Sequence, residues 1–486
     1  MKKFLVATVF IFFIFLGVIF FNTFTLQEPK YEPIPNTEWL QSTEFEEHYK
    51  KLIEHLAQAI RIQTISYQDP KQIDKNEFQK FIQFLEKSFP RVHKNLKRTL
   101  FNFSLLYEWK GKNPELKPVI LMGHYDVVPA DPSEWKFPPF DGVLSEGYLF
   151  GRGAIDDKIT VLGILQAAEF LLQQNFQPER TIYFSFGHDE EIGGFQGAKL
   201  IVEYLHQQNI QPEFVLDEGG AITVKIIPNI DTPVATIGIA EKGYLSLKLT
   251  TTGTSGHSSM PPKETSITKL ITALHRLHEN PFDYEFTEIQ KTMFRFIGAD
   301  FPFFQKMAIA NLWLFEPIII SNLTTTNTGR ASLQTTMATT ILQSGIKENV
   351  IPEKAEAIIN FRLLPGDTIA EVKKRVQEII QDPTIQIEET PYSMEASPVS
   401  SVDSLGFTLI ARSLKTINPE ISIAPYLVLG ATDARHFSKI SNSIYRFLPV
   451  YLTEDELQGM HGINERISLE SIKTALSFYA LVIKNL

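Results

Sequence analysis

The chain has 486 residues, of which 43% are hydrophobic and 21% charged, the balance of a globular protein long enough for two or three domains with sizeable cores. A formal net charge of −10 argues against a nucleic-acid partner, whose phosphates call for a basic surface. Cysteine is absent, so disulfide scaffolds, thiol catalysis and thiolate metal sites are excluded as well.

At the N-terminus, Lys2 and Lys3 precede an apolar run from Phe4 to Phe21. As a helix this run would be on the order of 27 Å long, enough to span a bilayer. A secretory signal has a shorter apolar region and a small-x-small cleavage site, and the run ends in F-F-N-T-F-T-L-Q with neither. The expectation is an uncleaved transmembrane anchor over 1–27, with a cleaved, secreted form as the alternative. Lysines ahead of the span favour an N-in orientation, which puts the rest on the non-cytoplasmic side, whether periplasmic, lumenal or extracellular. Residues 28–43, rich in proline and acid, read as a tether.

From 44 to 242 helix and strand patterns alternate, the mark of an α/β domain with a mostly parallel sheet. Val119 to Met122 is a buried strand broken by Gly123, after which His124 and Asp126 share a face. Ile155 to Gln174 has helical spacing, with Asp156 and Asp157 at its N-terminus. Thr181 to Phe186 and Phe214 to Leu216 are strands, and Gln196 to Gln207 is a helix. At Gly243 the pattern changes to alternating strands and a helix over Ile267 to His278, which reads as a smaller α+β domain inserted over 243–395. The first domain resumes over 396–486 and closes with an amphipathic helix from Leu469 to Ile483.

Four carboxylate groups follow apolar strands: Asp126, the pair Asp156 and Asp157, the pair Glu190 and Glu191, and Asp217. Ligands of open α/β sheets bind beyond the carboxyl ends of the strands, so these groups can converge there. Singly, His124 or His461 reads as an ordinary polar residue and Asp156-Asp157 as a helix cap; together they point to a metal site. Zinc takes imidazole and carboxylate when thiolates are absent, and two histidines with clustered carboxylates suit a pair of ions bridged by Asp156. Adjacent glutamates on extended chain face opposite sides, so one of Glu190 and Glu191 binds metal and the other is left to act on water. Asp126 would hold the second nitrogen of His124.

These motifs resemble a specific family. G-H-Y-D-V-V-P from Gly123, the stretch from Trp135 through G-R-G-A-I-D-D-K, H-D-E-E-I-G-G, T-S-G-H-S-S-M-P-P and G-A-T-D-A-R-H-F are similar to the aminoacylase and carboxypeptidase superfamily of di-zinc metallopeptidases. W-K-F-P-P-F is most similar to the branch of carboxypeptidase S and the N-fatty-acyl-amino-acid hydrolases. The resemblance covers about Glu44 to the end. It implies His124, Asp156 and Asp217 around one zinc, Asp156, Glu191 and His461 around the other, Glu190 as general base and Asp126 as the residue orienting His124. It further implies that the inserted domain serves dimerisation and closes the site, that His257 reaches the oxyanion, and that Arg435 and Asn349 contact the substrate. Arg362 stays structural. The expected activity is cleavage of the amide next to a C-terminal amino acid, on short peptides or on N-acyl amino acids. The phenylalanine runs at Phe294 and Phe301 read as core, or as the lining of an acyl pocket. The rival readings are a non-catalytic binding protein on the same fold and a two-metal phosphoesterase.

Overall fold

The computed structural model describes residues 2–486. Its main sheet has eight strands in the order Lys97–Phe101, Ser104–Trp109, Ile182–Gly187, Val119–His124, Phe214–Thr223, Ile444–Leu452, Val234–Glu241 and Ser422–Val428. The centre is parallel: Val119–His124 pairs with Ile182–Gly187 on one side and Phe214–Thr223 on the other, and the latter pairs with Ile444–Leu452. Antiparallel pairing at the Lys97 edge, and between Ile444–Leu452 and Val234–Glu241, makes the sheet mixed.

Every residue of Val119–His124 is buried, because helices cover both faces. The helix Lys158–Gln173 is apolar nearly all round and packs between the sheet and the C-terminal helix Leu469–Lys484. The contact is close at Gly163, where a Cβ would lie 3.0 Å from the Tyr479 ring. The helices expected around 155–174, 196–207 and 469–483 are found at Lys158–Gln173, Ala198–Gln207 and Leu469–Lys484.

The second, four-stranded sheet has the order Thr336–Ser344, Lys354–Leu363, Gly243–Thr252 and Gln386–Glu389. Along Lys354–Leu363 the alternate residues Ala355, Ala357, Ile359, Phe361 and Leu363 turn inward against helices Ser266–Glu279 and Ile369–Ile380. Two stretches depart from the expected domain plan. Within the insert, the helix Glu288–Ile297 leaves this sheet and buries Ile289, Phe296 and Ile297 in the core of the main unit. The stretch expected as a tether is packed down: Ile34 is buried and its N–H donates to Thr416 Oγ1 at 2.7 Å, Arg412 donates to the Glu32 carbonyl, and the Trp39 ring stacks on Phe170. Its tyrosine, isoleucine and tryptophan supply apolar surface that a free linker would leave in water.

Candidate metal centre

His124 ends its strand in register with Gly187, so the turn that follows Gly187 emerges beside it at the same edge of the sheet. Glu190–Ile192 is one turn of 3-10 helix, closed by Gly193 in the left-handed region at φ 110°. The two glutamates are therefore not on extended chain as expected, and the turn separates their side chains instead of strand alternation.

Asp126 ties this turn to His124. Its Oδ1 lies 3.3 Å from His124 Nδ1, its Oδ2 accepts from Ser66 Oγ at 2.6 Å, and the backbone N–H groups of Glu190 and Glu191 donate to the two oxygens at 3.2 Å. On the far side of the imidazole, His124 Nε2 lies 2.9 Å from Asp156 Oδ1. The other oxygen of Asp156 lies 3.0 Å from His461 Nε2, which is also 3.2 Å from Glu191 Oε2. His124 Nε2 is in turn 3.3 Å from Glu218 Oε1. Two donor groups result, His124 with Asp156 and Glu218, and Asp156 with Glu191 and His461, each with its atoms within 4.8 Å of one another.

The expectation for Asp217 is corrected by this geometry. Asp217 Oδ2 accepts from the Ala434 N–H at 2.8 Å, and it is the next residue, Glu218, that joins the cluster. Successive strand side chains point to opposite faces, so only one of the pair can look into the site.

Burial pushes the Asp156 carboxyl up, but the hydrogen bonds with His124 and His461 outweigh it and hold it well below the usual carboxylate range. Glu218 is pushed up to about 7 by burial, with the Asp156 charge adding to it. Burial also raises Glu191 and drives Glu190 well above its ordinary value. Glu191 Oε1 is buried without a hydrogen-bond partner. Crowded, desolvated carboxylates with an unsatisfied oxygen, two imidazoles and one shared aspartate form a donor set that fits a pair of divalent cations. Among the described residues the Glu190 side chain has no ion-pair partner, which leaves its carboxyl available to handle a proton.

Glu465 is a buried residue beside the site that sequence reasoning passed over, although it lies inside the G-M-H-G-I-N-E-R run from Gly459. Fully buried, it accepts from Arg152 Nη1 at 2.6 Å and from the backbone N–H groups of Gly153, Ile155 and Asp156. Arg152 also donates to the Gly462 carbonyl at 2.6 Å. The loop carrying His461 and the loop carrying Asp156 are thus fastened together. That fastening helps hold His461 in the left-handed region at φ 57°, a costly conformation for a residue with a Cβ.

The remaining expected residues lie outside this cluster. His257 and Asn349 are neighbours on the inserted unit, where Gly256–His257 pairs with Val350–Ile351 and Ser258 N–H donates to the Asn349 carbonyl. Both are exposed. Arg435 is half-buried on the Asp433–Lys439 turn with its Nε unpartnered, and a Cβ on Gly193 would lie 3.5 Å from its guanidinium, so it sits against the glutamate turn. Arg362 stacks over Tyr244 at 4.8 Å.

A sheet edge where one imidazole ends a strand and loops bring a second imidazole and a set of carboxylates sharing one aspartate, with an α+β unit inserted in the chain, defines a metal-dependent hydrolase. The chain belongs to peptidase family M20/M25/M40, whose family model matches residues 120–485, and it is an enzyme of that metallopeptidase family. It is 41% identical over 441 residues to probable carboxypeptidase S-like 2 of Dictyostelium discoideum, covering 90% of this chain and 85% of the relative. It is 40% identical over 482 residues to the N-fatty-acyl-amino acid synthase/hydrolase PM20D1 of Xenopus tropicalis, covering 97% and 93%. In fold it is similar to the dipeptidase Dug1p from Saccharomyces cerevisiae, with a TM-score of 0.65 at 16% identity over 92% of this chain and 98% of that one. The resemblance carried by the motifs is thereby shown.

Proposed function

We propose that the chain hydrolyses the amide bond next to a C-terminal amino acid, as a carboxypeptidase on short peptides, at a centre of two zinc ions. The observation that carries this reading is the Asp156 carboxylate lying between His124 and His461. His124, Asp156 and Glu218 would hold one ion, and Asp156, Glu191 and His461 the other. Ions bound there supply the Lewis acidity that acidifies water and polarises a carbonyl. Glu190 takes the proton of the attacking water on its carboxylate and returns it to the leaving nitrogen, a role that its raised proton affinity and its unpaired side chain support. Asp126 fixes the tautomer and orientation of His124.

Arg435, its guanidinium edge unpartnered, would clamp the substrate's terminal carboxylate. His257 and Asn349 would come to the acyl oxygen and the substrate from the inserted unit. Exposed Ile341 and Leu342 on the edge strand Thr336–Ser344 support a homodimer formed through that unit. The N-terminal helix Lys2–Thr25, with exposed Phe4, Phe10 and Phe21, supports a membrane anchor that leaves the catalytic part on the non-cytoplasmic side.

A second reading, hydrolysis or synthesis of N-fatty-acyl amino acids, is favoured by the 40% identity over 482 residues to PM20D1. The attack is the same and only the acyl-side pocket differs. The test is to assay the detergent-solubilised full chain, with added zinc, against dipeptides and N-acyl amino acids of graded chain length, with Glu190→Gln as the blank. Amino-acid release from dipeptides supports the first reading, and release confined to long-chain acyl substrates supports the second. Turnover of a phosphodiester reporter with no amino acid released would sink both.

A further inference from the structure

The stretch from Phe303 to Leu323 takes no part in the proposed chemistry. It forms two helices, Phe303–Ala310 and Leu312–Leu323, and the chain bends by 119° between them at Asn311. This pair lies against the N-terminal helix. The Phe303 ring meets Phe24 at 6.1 Å, Asn311 Nδ2 donates to the Ile19 carbonyl at 3.2 Å, and the Trp313 ring meets Phe15 at 5.7 Å. From 303 to 313 the contacts thus step back along the N-terminal helix from Phe24 to Phe15. At 1.5 Å per residue that descent is about 13 Å, close to half of a hydrocarbon core of about 30 Å.

The outward surface of the pair is apolar. Phe304 is 78% exposed and Trp313 60%, with Phe303 and Ile318 beside them. Only Lys306 and Glu316 carry charge on the two helices. At the bend, the polar groups turn inward: Asn311 is wholly buried, its Nδ2 also donates to the Met307 carbonyl, and its Oδ1 accepts from Asn22 Nδ2 at 3.0 Å. Broken helices occur at membrane depth only where the freed polar groups are satisfied within protein, and side-chain amides commonly bridge such helices.

We propose that Phe303–Leu323 is a re-entrant element that dips into the non-cytoplasmic leaflet beside the N-terminal helix, with lipid acyl chains covering its exposed face. This rests on the reading that the N-terminal helix lies in a bilayer. The alignment with that helix argues for lipid over a protein partner, since anything seated on Phe304 and Trp313 shares its depth with residues 15–24 of the anchor. Two membrane contacts, with the packed 28–43 stretch fixing the N-terminal helix to the catalytic unit, hold that unit at a fixed height and orientation.

The chain has no cysteine, so single-cysteine variants report one position each. Phe304→Cys, Phe10→Cys on the N-terminal helix and Lys374→Cys on an exposed helix of the inserted unit are labelled with an environment-sensitive fluorophore. Each full-length variant that retains amidase activity is reconstituted into phosphatidylcholine vesicles with or without brominated acyl chains. The expected result is loss of most emission at positions 10 and 304 and none at 374. Quenching at 10 but not at 304 would overturn the inference and leave the anchor standing. No quenching at either would remove the anchor reading and the inference with it. Protection of 304 from aqueous iodide without quenching by bromine would identify a protein partner, a second copy included, and also overturn it. Should Phe304→Cys fail to fold, Ile318→Cys reads the same surface from the second helix.

Discussion

Asp217 and Glu218 are consecutive on one strand and serve opposite sides of it: Asp217 holds the Ala434 N–H at 2.8 Å, and Glu218 faces His124 Nε2 at 3.3 Å. Glu218→Ala is therefore expected to strip metal from the protein, and Asp217→Asn, which keeps an acceptor oxygen, to retain it and lose at most about tenfold in activity. Elemental analysis after gel filtration checks this, and equal metal loss in both variants would contradict the assignment.

Glu190→Gln is expected to lower kcat by about 10²- to 10⁴-fold while leaving the metal content unchanged, because the variant keeps the volume of the side chain and loses only its capacity to carry a proton. Metal analysis beside steady-state kinetics decides it. A variant retaining more than a tenth of wild-type kcat would remove Glu190 from the role of base.

Removing the metal should change how stability depends on pH. In the metal-free chain Glu218 titrates near 7, above its ordinary 4.5, because burial disfavours its charge. A folded-state pKa raised above the unfolded one gives a contribution present below about 4.5 and lost as pH rises through about 7. Metal binding competes with that proton and removes the loss. The difference in Tm between zinc-loaded and chelated protein should therefore widen from pH 4.5 to 7; a difference that is flat or narrows over this window would count against Glu218 as a ligand.

Glu465→Gln leaves the buried Arg152 guanidinium without its anionic partner and weakens the cradle around Asp156. A cost of about 3 kcal/mol is expected, as for breaking a buried ion pair. If Glu465 also positions Asp156 and His461, metal affinity falls with stability in urea titrations run with and without zinc. An unchanged affinity would leave it a purely structural residue.

Arg435→Lys is expected to raise KM for substrates with a free carboxylate by about tenfold or more with a smaller change in kcat, since a lysine cannot make the paired contact of a guanidinium. Amidated peptides, which lack that carboxylate, should show no difference between variant and wild type.

Much of this was legible in the chain itself. A buried strand ended by Gly123 announces His124 and Asp126, and the acid pairs Asp156-Asp157 and Glu190-Glu191 stand out beside other apolar runs, because these signals are local: apolar runs, the breaks that end them, and the residues just beyond. The roles of Glu191 and His461 come from the family resemblance of their motifs. The choice between Asp217 and Glu218 was not local. The strand continues to Thr223, and which of its faces looks into the site is set by its pairing with Val119–His124 and Ile444–Leu452. Glu190 and Glu191 were distinguished by a 3-10 turn pinned to Asp126, a contact across the fold that spacing does not encode. Apolar periodicity likewise reports that a surface avoids water without saying what covers it. Only the tertiary structure separated Phe296, in the main core, from Phe304, on an outer face beside the N-terminal helix, because burial depends on which elements meet in space and not on the hydrophobicity that both residues share.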